Sequence, residues 1–155
     1  MKLAPNFTFN EMTTTGQSDL LASNRAEARA STDVMLRLHL VAAVLQQVRD
    51  HFGKPVVITS GYRGPTLNAR IGGSRTSQHM KGEAADFHVK GVDLTEVFRW
   101  IEGSGLRFGQ LILEGQQQDK PTWIHLSLGY PFRPLAKCGQ VLTWDASRGY
   151  RNARS

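Results

Sequence analysis

The segment SQHMKGEAAD, residues 77–86, carries a histidine and an aspartate on either side of a glycine. The glycine lets the chain turn between His79 and the strand-like run that contains Asp86, so both side chains can face one point. Further along, the tripeptide WIH at 123–125 offers a second imidazole, His125, within another apolar run. Alternate side chains of a strand point to opposite faces, so His125 can share a face with Asp86 while its neighbours enter the core.

Two imidazoles and a carboxylate form a possible zinc site. A catalytic zinc ion uses three protein ligands of this kind and keeps a fourth position for water. The same residues are compatible with an arrangement without metal, in which Asp86 fixes the tautomer of a core histidine, His79 or His125. The single cysteine, Cys138, excludes an internal disulfide and any site built from two or more thiolates.

The segments around this motif predict an α+β fold. Apolar residues recur at three- and four-residue steps from Met35 to Phe52, which predicts a long helix that begins at Ser31 or Thr32. A shorter helix is predicted from Asp93 through Ile101. Apolar and β-branched runs predict strands at 55–60, 84–89, 108–113, 123–128 and 140–144. We therefore expect a small, mostly antiparallel sheet with a long packed helix, in which the runs at 108–113 and 123–128 form a hairpin.

The chain of 155 residues has the length of one ordinary domain. We expect a single domain over 1–155, with its core at about 7–130 and a basic extension at 131–155. Segment 22–32, rich in alanine and polar residues, is expected to be solvated. Glu83, inside the histidine–aspartate motif, is also expected to be solvated.

The charge balance indicates an anionic partner. Lysine and arginine number 19 against 13 acidic residues, for a net charge of +6. This excess of positive charge would attract nucleic acid, a membrane surface or a polyanionic wall. Arg148, Arg151 and Arg154 are expected to form a solvated basic tail, and no nucleic-acid-binding signature accompanies them, so we expect no specific nucleic-acid partner. No apolar run has the roughly 20 residues of a membrane span, and no export signal is visible.

The motif Ser-x-His-x-x-Gly-x-Ala-x-Asp, followed by Trp-x-His, resembles the zinc D-Ala-D-Ala carboxypeptidase family, which includes vancomycin-resistance dipeptidases and phage L-alanyl-D-glutamate endolysins. The matching residues are Ser77, His79, Gly82, Ala84, Asp86, Trp123 and His125. Further segments resemble the phage and prophage branch, namely FTFNEM at 7–12, SGYR at 60–63, and Asn68 with the glycine pair at 72–73. The resemblance covers about residues 7–130.

The resemblance implies one zinc ion bound by His79, Asp86 and His125, on the small α+β scaffold shared with hedgehog signalling domains. Arg63 matches the family arginine that faces the substrate, where it would hold the peptide carbonyl or the oxyanion. The residues implied to line the substrate cleft are Ser77, Gln78 and Trp123. The implied activity is hydrolysis of stem-peptide or cross-link amide bonds in peptidoglycan, of the D,D-carboxypeptidase, D,D-endopeptidase or L-alanyl-D-glutamate endopeptidase type.

The general base is where this sequence departs from many relatives. They carry an acidic residue three positions before the last histidine, and this chain has Thr122 there. Glu114 resembles the pattern of the phage branch and would lie across the predicted hairpin from His125, so we expect it to be the base. Asp119 is the alternative, because the DKP that begins with it resembles the Asp-Lys-Pro-His of some endolysins.

These features together favour a phage or prophage lysis enzyme. We expect a monomer made in the host cytoplasm without a signal peptide, which reaches the cell wall or periplasm after holin-type release. The alternative is a virion or baseplate component that uses the same fold with little or no hydrolysis and has virion proteins as partners. In either case the excess of lysine and arginine would attract the anionic envelope.

Overall fold

The computed structural model describes residues 1–115 and 120–155. Two short strands at the amino end, β1 (Lys2–Ala4) and β2 (Phe7–Thr8), form a separate antiparallel pair. The main sheet consists of β3 (Val56–Ser60), β4 (Ala84–Val89), β5 (Gln110–Gly115), β6 (Trp123–Ser127), β7 (Gln140–Asp145) and β8 (Gly149–Asn152). These six strands lie in the order β3-β4-β6-β5-β7-β8.

The helices are α1 (Phe9–Met12), α2 (Leu21–Arg29), α3 (Thr32–Phe52), α4 (Pro65–Ile71) and α5 (Leu94–Gly103). Short 3₁₀ turns lie at Ser18–Leu20, Gln78–Lys81 and Leu135–Lys137. The Ser31 hydroxyl accepts from the Val34 N–H and so caps α3, which ends at Gly53 in the left-handed conformation. Asp93 caps α5 in the same way through the Thr95 N–H. Both predicted helices are thus confirmed.

Helices α3 and α5 cover one face of the main sheet. Leu38 and Leu45 of α3 and Ile101 of α5 are completely buried in the core beneath them. From β6, Ile124 and Leu126 join the same core. Side chains that alternate with these two therefore point to the opposite face of the sheet, which the two helices leave open.

The strand pairing confirms the expected α+β class with a mostly antiparallel sheet. Among the residues that the structure describes, four of the five strand pairs in the main sheet are antiparallel, and β5–β7 is parallel. The predicted hairpin is present as the β5–β6 pair, with Ile112 opposite His125 and Glu114 opposite Trp123. On the other side of β6, His125 lies opposite Asp86 of β4.

Two segments that we expected to be solvated are structured instead. Segment 22–32 contains most of α2, whose Asn24 and Ala28 are completely buried four residues apart, on one side of the helix. Glu83 is buried with only 7% of its surface exposed, and its Oε1 lies 3.5 Å from Arg37 Nε. Burial raises the pKa of Glu83. The backbone holds Glu83 beside the sheet, because its carbonyl accepts from Leu128 N–H at 2.8 Å.

The carboxyl-terminal segment belongs to the sheet rather than to a solvated tail. Residues 131–155 include β7, which confirms the strand predicted at 140–144, and β8, which the sequence did not predict. Arg148 Nε lies 2.7 Å from Asp145 Oδ2, and Arg154 donates to the carbonyl of Gly139. None of the helices in the described part of the chain is long and apolar enough to cross a membrane.

Candidate metal centre

Three side chains from separate segments meet on the open face of the sheet. His79 lies in the 3₁₀ turn after α4, Asp86 on β4, and His125 on β6 directly opposite Asp86. One potential ligand atom from each lies within 4.8 Å of the other two. Their side chains are 7%, 15% and 9% exposed, respectively. The structure therefore brings together the three residues that the sequence predicted as metal ligands.

In each histidine, one ring nitrogen is hydrogen-bonded to a group outside the cluster, and the other nitrogen faces into the cluster. His79 Nδ1 donates to the carbonyl of Gly61 at 2.9 Å, and its Nε2 faces Asp86 Oδ1 at 3.2 Å. His125 Nε2 donates to Gln78 Oε1 at 2.9 Å, and its Nδ1 lies within hydrogen-bond distance, 2.9 Å, of the same carboxylate oxygen. The two inner nitrogens thus converge on Asp86: a proton on either nitrogen makes a hydrogen bond to the carboxylate, and loss of that proton frees a lone pair for a metal ion.

This donor set fits one zinc ion. Zinc accepts imidazole nitrogen and carboxylate oxygen, and three protein ligands leave a position open for water or substrate. Magnesium and calcium prefer oxygen ligands throughout. The Gly61 carbonyl and the Gln78 amide hold the two rings through their outer nitrogens, as carbonyl and carboxylate groups commonly do around metal-binding histidines.

The electrostatics of the cluster favour an ionised carboxylate. Burial opposes ionisation of Asp86, but the charges and hydrogen bonds of His79 and His125 outweigh it and hold the pKa of the carboxyl well below its usual range. Burial also disfavours the charged form of His79, yet attraction to Asp86 outweighs this and raises the pKa of the imidazole. Asp86 is therefore a carboxylate at neutral pH, as metal binding requires.

Arg63 lies beside the cluster, shortly after β3. Its backbone N–H donates to the carbonyl of His79, and its Nη2 donates to Ser77 Oγ, both at 3.0 Å. Its Nε is buried and has no hydrogen-bond partner among the residues that the structure describes. Burial lowers the pKa of Arg63, an effect that the charge of Asp86 opposes, but a guanidinium stays protonated in proteins. Arg63 can therefore offer charged N–H donors to a ligand in the cleft.

Ser77, Gln78 and Trp123 contact site residues as well as the cleft. Ser77 Oγ accepts from the His79 N–H at 3.2 Å in addition to Arg63, so it both caps the 3₁₀ turn and holds the guanidinium. Gln78 orients the His125 ring, as described above. The indole of Trp123 donates to a carboxylate oxygen of Glu114. All three also line the cleft, as the sequence predicted.

Glu114 lies one strand away from His125 and faces the same cleft. Burial is the main cause that raises the pKa of Glu114, and the negative charge of Asp86 adds to it. The indole donor of Trp123 and the nearby histidines partly offset these effects. The alternative base, Asp119, lies outside the described residues.

The open cleft around the cluster has a volume of about 520 Å³. Its walls include Arg63, Ser77, Gln78, Glu114 and Trp123. A sequence model of the family described as peptidase M15 matches residues 5–127. The chain belongs to the peptidase M15 family.

A zinc D-Ala-D-Ala carboxypeptidase from Streptomyces albus G is a relative of this M15 chain. The two are 31% identical over 81 residues, which make up 52% of this chain. This chain spans only 30% of the length of that relative. The resemblance drawn from the sequence motifs is thus confirmed at the level of the family, and assignment to its phage branch stays a prediction.

The sequence analysis missed several residues that line the cleft, and two of them lie beyond the end of the M15 match. Arg133 and Tyr150 line the cleft, and both follow residue 127, where the match ends. Gln110, at the start of β5, also lines it. The composition around Arg133 and Tyr150, rich in arginine and glycine, indicated a tail, and only the pairing of β7 with β5 brings this segment to the site.

Proposed function

We propose that this chain is a zinc-dependent peptidase that hydrolyses amide bonds in the peptide part of peptidoglycan. The observation that carries the proposal is the cluster of His79, Asp86 and His125 with Glu114 in the same cleft. Membership in the M15 family supports the reaction class. The name of the carboxypeptidase relative supports both the metal and the substrate.

In this proposal the residues divide the chemistry among them. A zinc ion, when bound, supplies a Lewis acid and lowers the pKa of water near it toward about 7. Glu114 accepts the proton of the attacking water and returns it to the leaving amine, and the raised pKa of its carboxyl suits that exchange near neutral pH. Trp123 holds the carboxylate through its indole N–H. Arg63 donates charged hydrogen bonds to the carbonyl oxygen on which negative charge develops.

The metal ligands are tested by zinc content. His79→Ala, Asp86→Ala and His125→Ala should each lower the zinc bound per chain, measured by elemental analysis of protein purified in the presence of zinc. His88→Ala is the matched control, because His88 is on the same strand as Asp86 but does not line the cleft. Zinc content equal to that of the wild type in all three ligand variants would reject the site.

The base is tested by a substitution that keeps the shape of the side chain. Glu114→Gln should retain zinc and lose hydrolysis by about 10²-fold or more, since a general base typically contributes 10²–10⁴-fold. Asp119→Asn should have a mild effect. The assay is release of peptides from purified peptidoglycan, and full activity of Glu114→Gln with loss of activity in Asp119→Asn would move the assignment to Asp119.

We also propose a role in phage or prophage lysis, with release to the cell wall through a holin-type lesion. The FTFNEM segment at 7–12, which resembles the phage and prophage branch, supports this role. Zymography on cells stripped of their outer membrane tests it, because a lysis enzyme should clear the wall on its own. A protein that binds zinc but clears no wall would favour the virion or baseplate role instead.

A further inference from the structure

The face of the sheet that carries the cluster continues past Glu114 onto the last two strands. Glu114 of β5 lies directly opposite Trp144 of β7, and Trp144 lies directly opposite Tyr150 of β8. Directly opposite residues on neighbouring strands point to the same face. Glu114, Trp144 and Tyr150 therefore form one row, which leads away from the cluster toward the edge of the sheet.

Tyr150 is the member of this row that reaches into the cleft from the edge. It lines the cleft together with Glu114, yet 62% of its surface is exposed. Its ring packs against that of Trp144, with the centroids 6.4 Å apart and the planes inclined by 52°. One side of the tyrosine is thus supported by the protein, and the rest of the ring is open to a ligand.

The turn before Tyr150 is held by several hydrogen bonds. Asp145 Oδ1 accepts from the backbone N–H of Ser147 at 3.0 Å and from that of Arg148 at 2.8 Å. Asp145 Oδ2 accepts from Arg148 Nε at 2.7 Å. A side chain on a turn fixed in this way loses little conformational freedom when it binds a ligand.

Arg63 and Tyr150 lie on opposite sides of Glu114. Arg63 is near β3 and β4 at one end of the strand order, Glu114 is on β5, and Tyr150 is on β8 at the other end. A substrate that places its reacting carbonyl between Arg63 and Glu114 would reach Tyr150 only if it continues beyond the bond that is cleaved. A short peptide that ends near that bond would not touch the tyrosine.

We propose that Tyr150 is a specificity-determining residue, whose exposed ring contacts the part of the substrate that continues past Glu114. The ligand is the apolar face of a further sugar or peptide unit of peptidoglycan. It packs on the ring of Tyr150 and buries apolar surface there, as ligands do on aromatic side chains at interfaces. The enzyme should therefore prefer cross-linked or sugar-bearing substrates to a free stem peptide. This inference rests on the proposed function.

The test compares a long and a short substrate. The probes are a purified cross-linked disaccharide-peptide dimer, an uncross-linked disaccharide-pentapeptide and a free stem pentapeptide, with products identified by mass spectrometry. Tyr150→Ala should raise KM for the dimer by about tenfold with little change in kcat, and change kcat/KM for the free peptide by less than about twofold. A loss on both disaccharide substrates would indicate that the ring contacts sugar, and a loss on the dimer alone that it contacts the second peptide.

Two further variants separate the contact from other effects. Tyr150→Phe keeps the ring and should retain the KM of the wild type. Tyr130→Ala removes a tyrosine that is 70% exposed and does not line this cleft, so its kinetics should be unchanged. An equal loss for Tyr150→Ala on all three substrates, or no loss on any of them, would overturn the proposal.

Binding provides a readout that does not depend on hydrolysis. Sedimentation with purified insoluble peptidoglycan should recover about tenfold less Tyr150→Ala than wild type at subsaturating wall. If the wild type cleaves no probe but Tyr150→Ala still binds more weakly than Tyr130→Ala, the proposed hydrolysis fails and the contact stands. Equal sedimentation of Tyr150→Ala and Tyr130→Ala would refute the contact whatever the activity.

Discussion

Asn24→Ala should destabilise the protein and weaken the site, although Asn24 does not line the cleft. The Asn24 side chain, on α2, is completely buried and bonds three backbone groups. Its Nδ2 donates to the carbonyls of Thr13 and Tyr62, each at 3.0 Å, and its Oδ1 accepts from Gly64 N–H at 2.7 Å. Tyr62 and Gly64 flank Arg63, so one amide holds the backbone on both sides of that arginine.

The expected cost follows from these three hydrogen bonds. Alanine would leave two carbonyls and one N–H without a partner, and each unpaired buried group costs about 1–3 kcal/mol. Water can enter the space that the amide vacates and satisfy part of the loss, so we expect the low end of the sum, about 3 kcal/mol. For a chain of this length that corresponds to a fall in Tm of roughly 6–12 °C.

Thermal unfolding and peptidoglycan hydrolysis are measured on the same preparations. Asn10→Ala is the matched control, because it makes the same change at an exposed position of α1 and should leave Tm within about 1 °C. At a temperature where both variants are folded, Asn24→Ala should have about tenfold lower kcat/KM with normal zinc content, because small misplacement of Arg63 is costly for catalysis.

Two results would refute this reasoning. A fall in Tm of less than about 2 °C would show that the three hydrogen bonds contribute little. Normal kcat/KM in a destabilised but folded Asn24→Ala protein would show that Asn24 supports the fold without positioning Arg63.

Three further predictions concern other parts of the molecule. Gly61→Ala should lower the affinity for zinc in a zinc titration, because a Cβ at Gly61 would collide with the Met12 carbonyl and displace the Gly61 carbonyl that orients His79. Gly16→Ala is the control and should leave the affinity unchanged, because a Cβ there meets no atom within 4 Å. Partial burial opposes ionisation of Asp145, but hydrogen bonds from Ser147 and Arg148 outweigh it and hold its pKa below the usual 3.8. The stabilisation by the Asp145 carboxylate is therefore present at a pH above this usual pKa and is lost as the pH falls through the lowered pKa of the folded protein. Urea unfolding of Asp145→Asn should show a lower midpoint than the wild type at neutral pH, and that midpoint should change less on acidification. Hydrolysis of whole walls should fall as salt rises, because the net charge of +6 attracts an anionic envelope through a screened interaction, and constant activity from low to high salt would contradict this.

Local signals predicted that the three residues of the cluster lie together, and the resemblance to the zinc peptidase family favoured a metal site over a metal-free arrangement. A glycine turn places His79 next to the strand of Asp86, and alternation along β6 separates His125 from the apolar side chains of the core. The pairing of Asp86 with His125 needed only neighbouring antiparallel strands, which the apolar runs indicated. Likewise, periodicity and capping residues were sufficient for α3 and α5.

The parts that the sequence did not predict depend on contacts between distant segments. In α2, polar residues surround the two buried positions, so no apolar stripe marked a packed helix. Tyr150 reaches the cleft only because β7 pairs in parallel with β5, and parallel strands need a long connection that leaves no turn signal. The burial of Glu83 also depends on segments far away in the sequence, because its carbonyl accepts from Leu128 N–H and its carboxylate lies 3.5 Å from Arg37 Nε.

The strand register also explains how the base can stand at Glu114 when Thr122 occupies the position expected from many relatives. The backbone N–H of Thr122 donates to the carbonyl of Glu114 at 2.7 Å, and the next residue, Trp123, lies directly opposite Glu114. Positions 114 and 122 are therefore neighbours across the β5–β6 ladder. Glu114 lines the cleft and Thr122 does not. In this chain, therefore, the carboxylate that can serve as the proposed base is supplied by β5, across the ladder from the strand of His125.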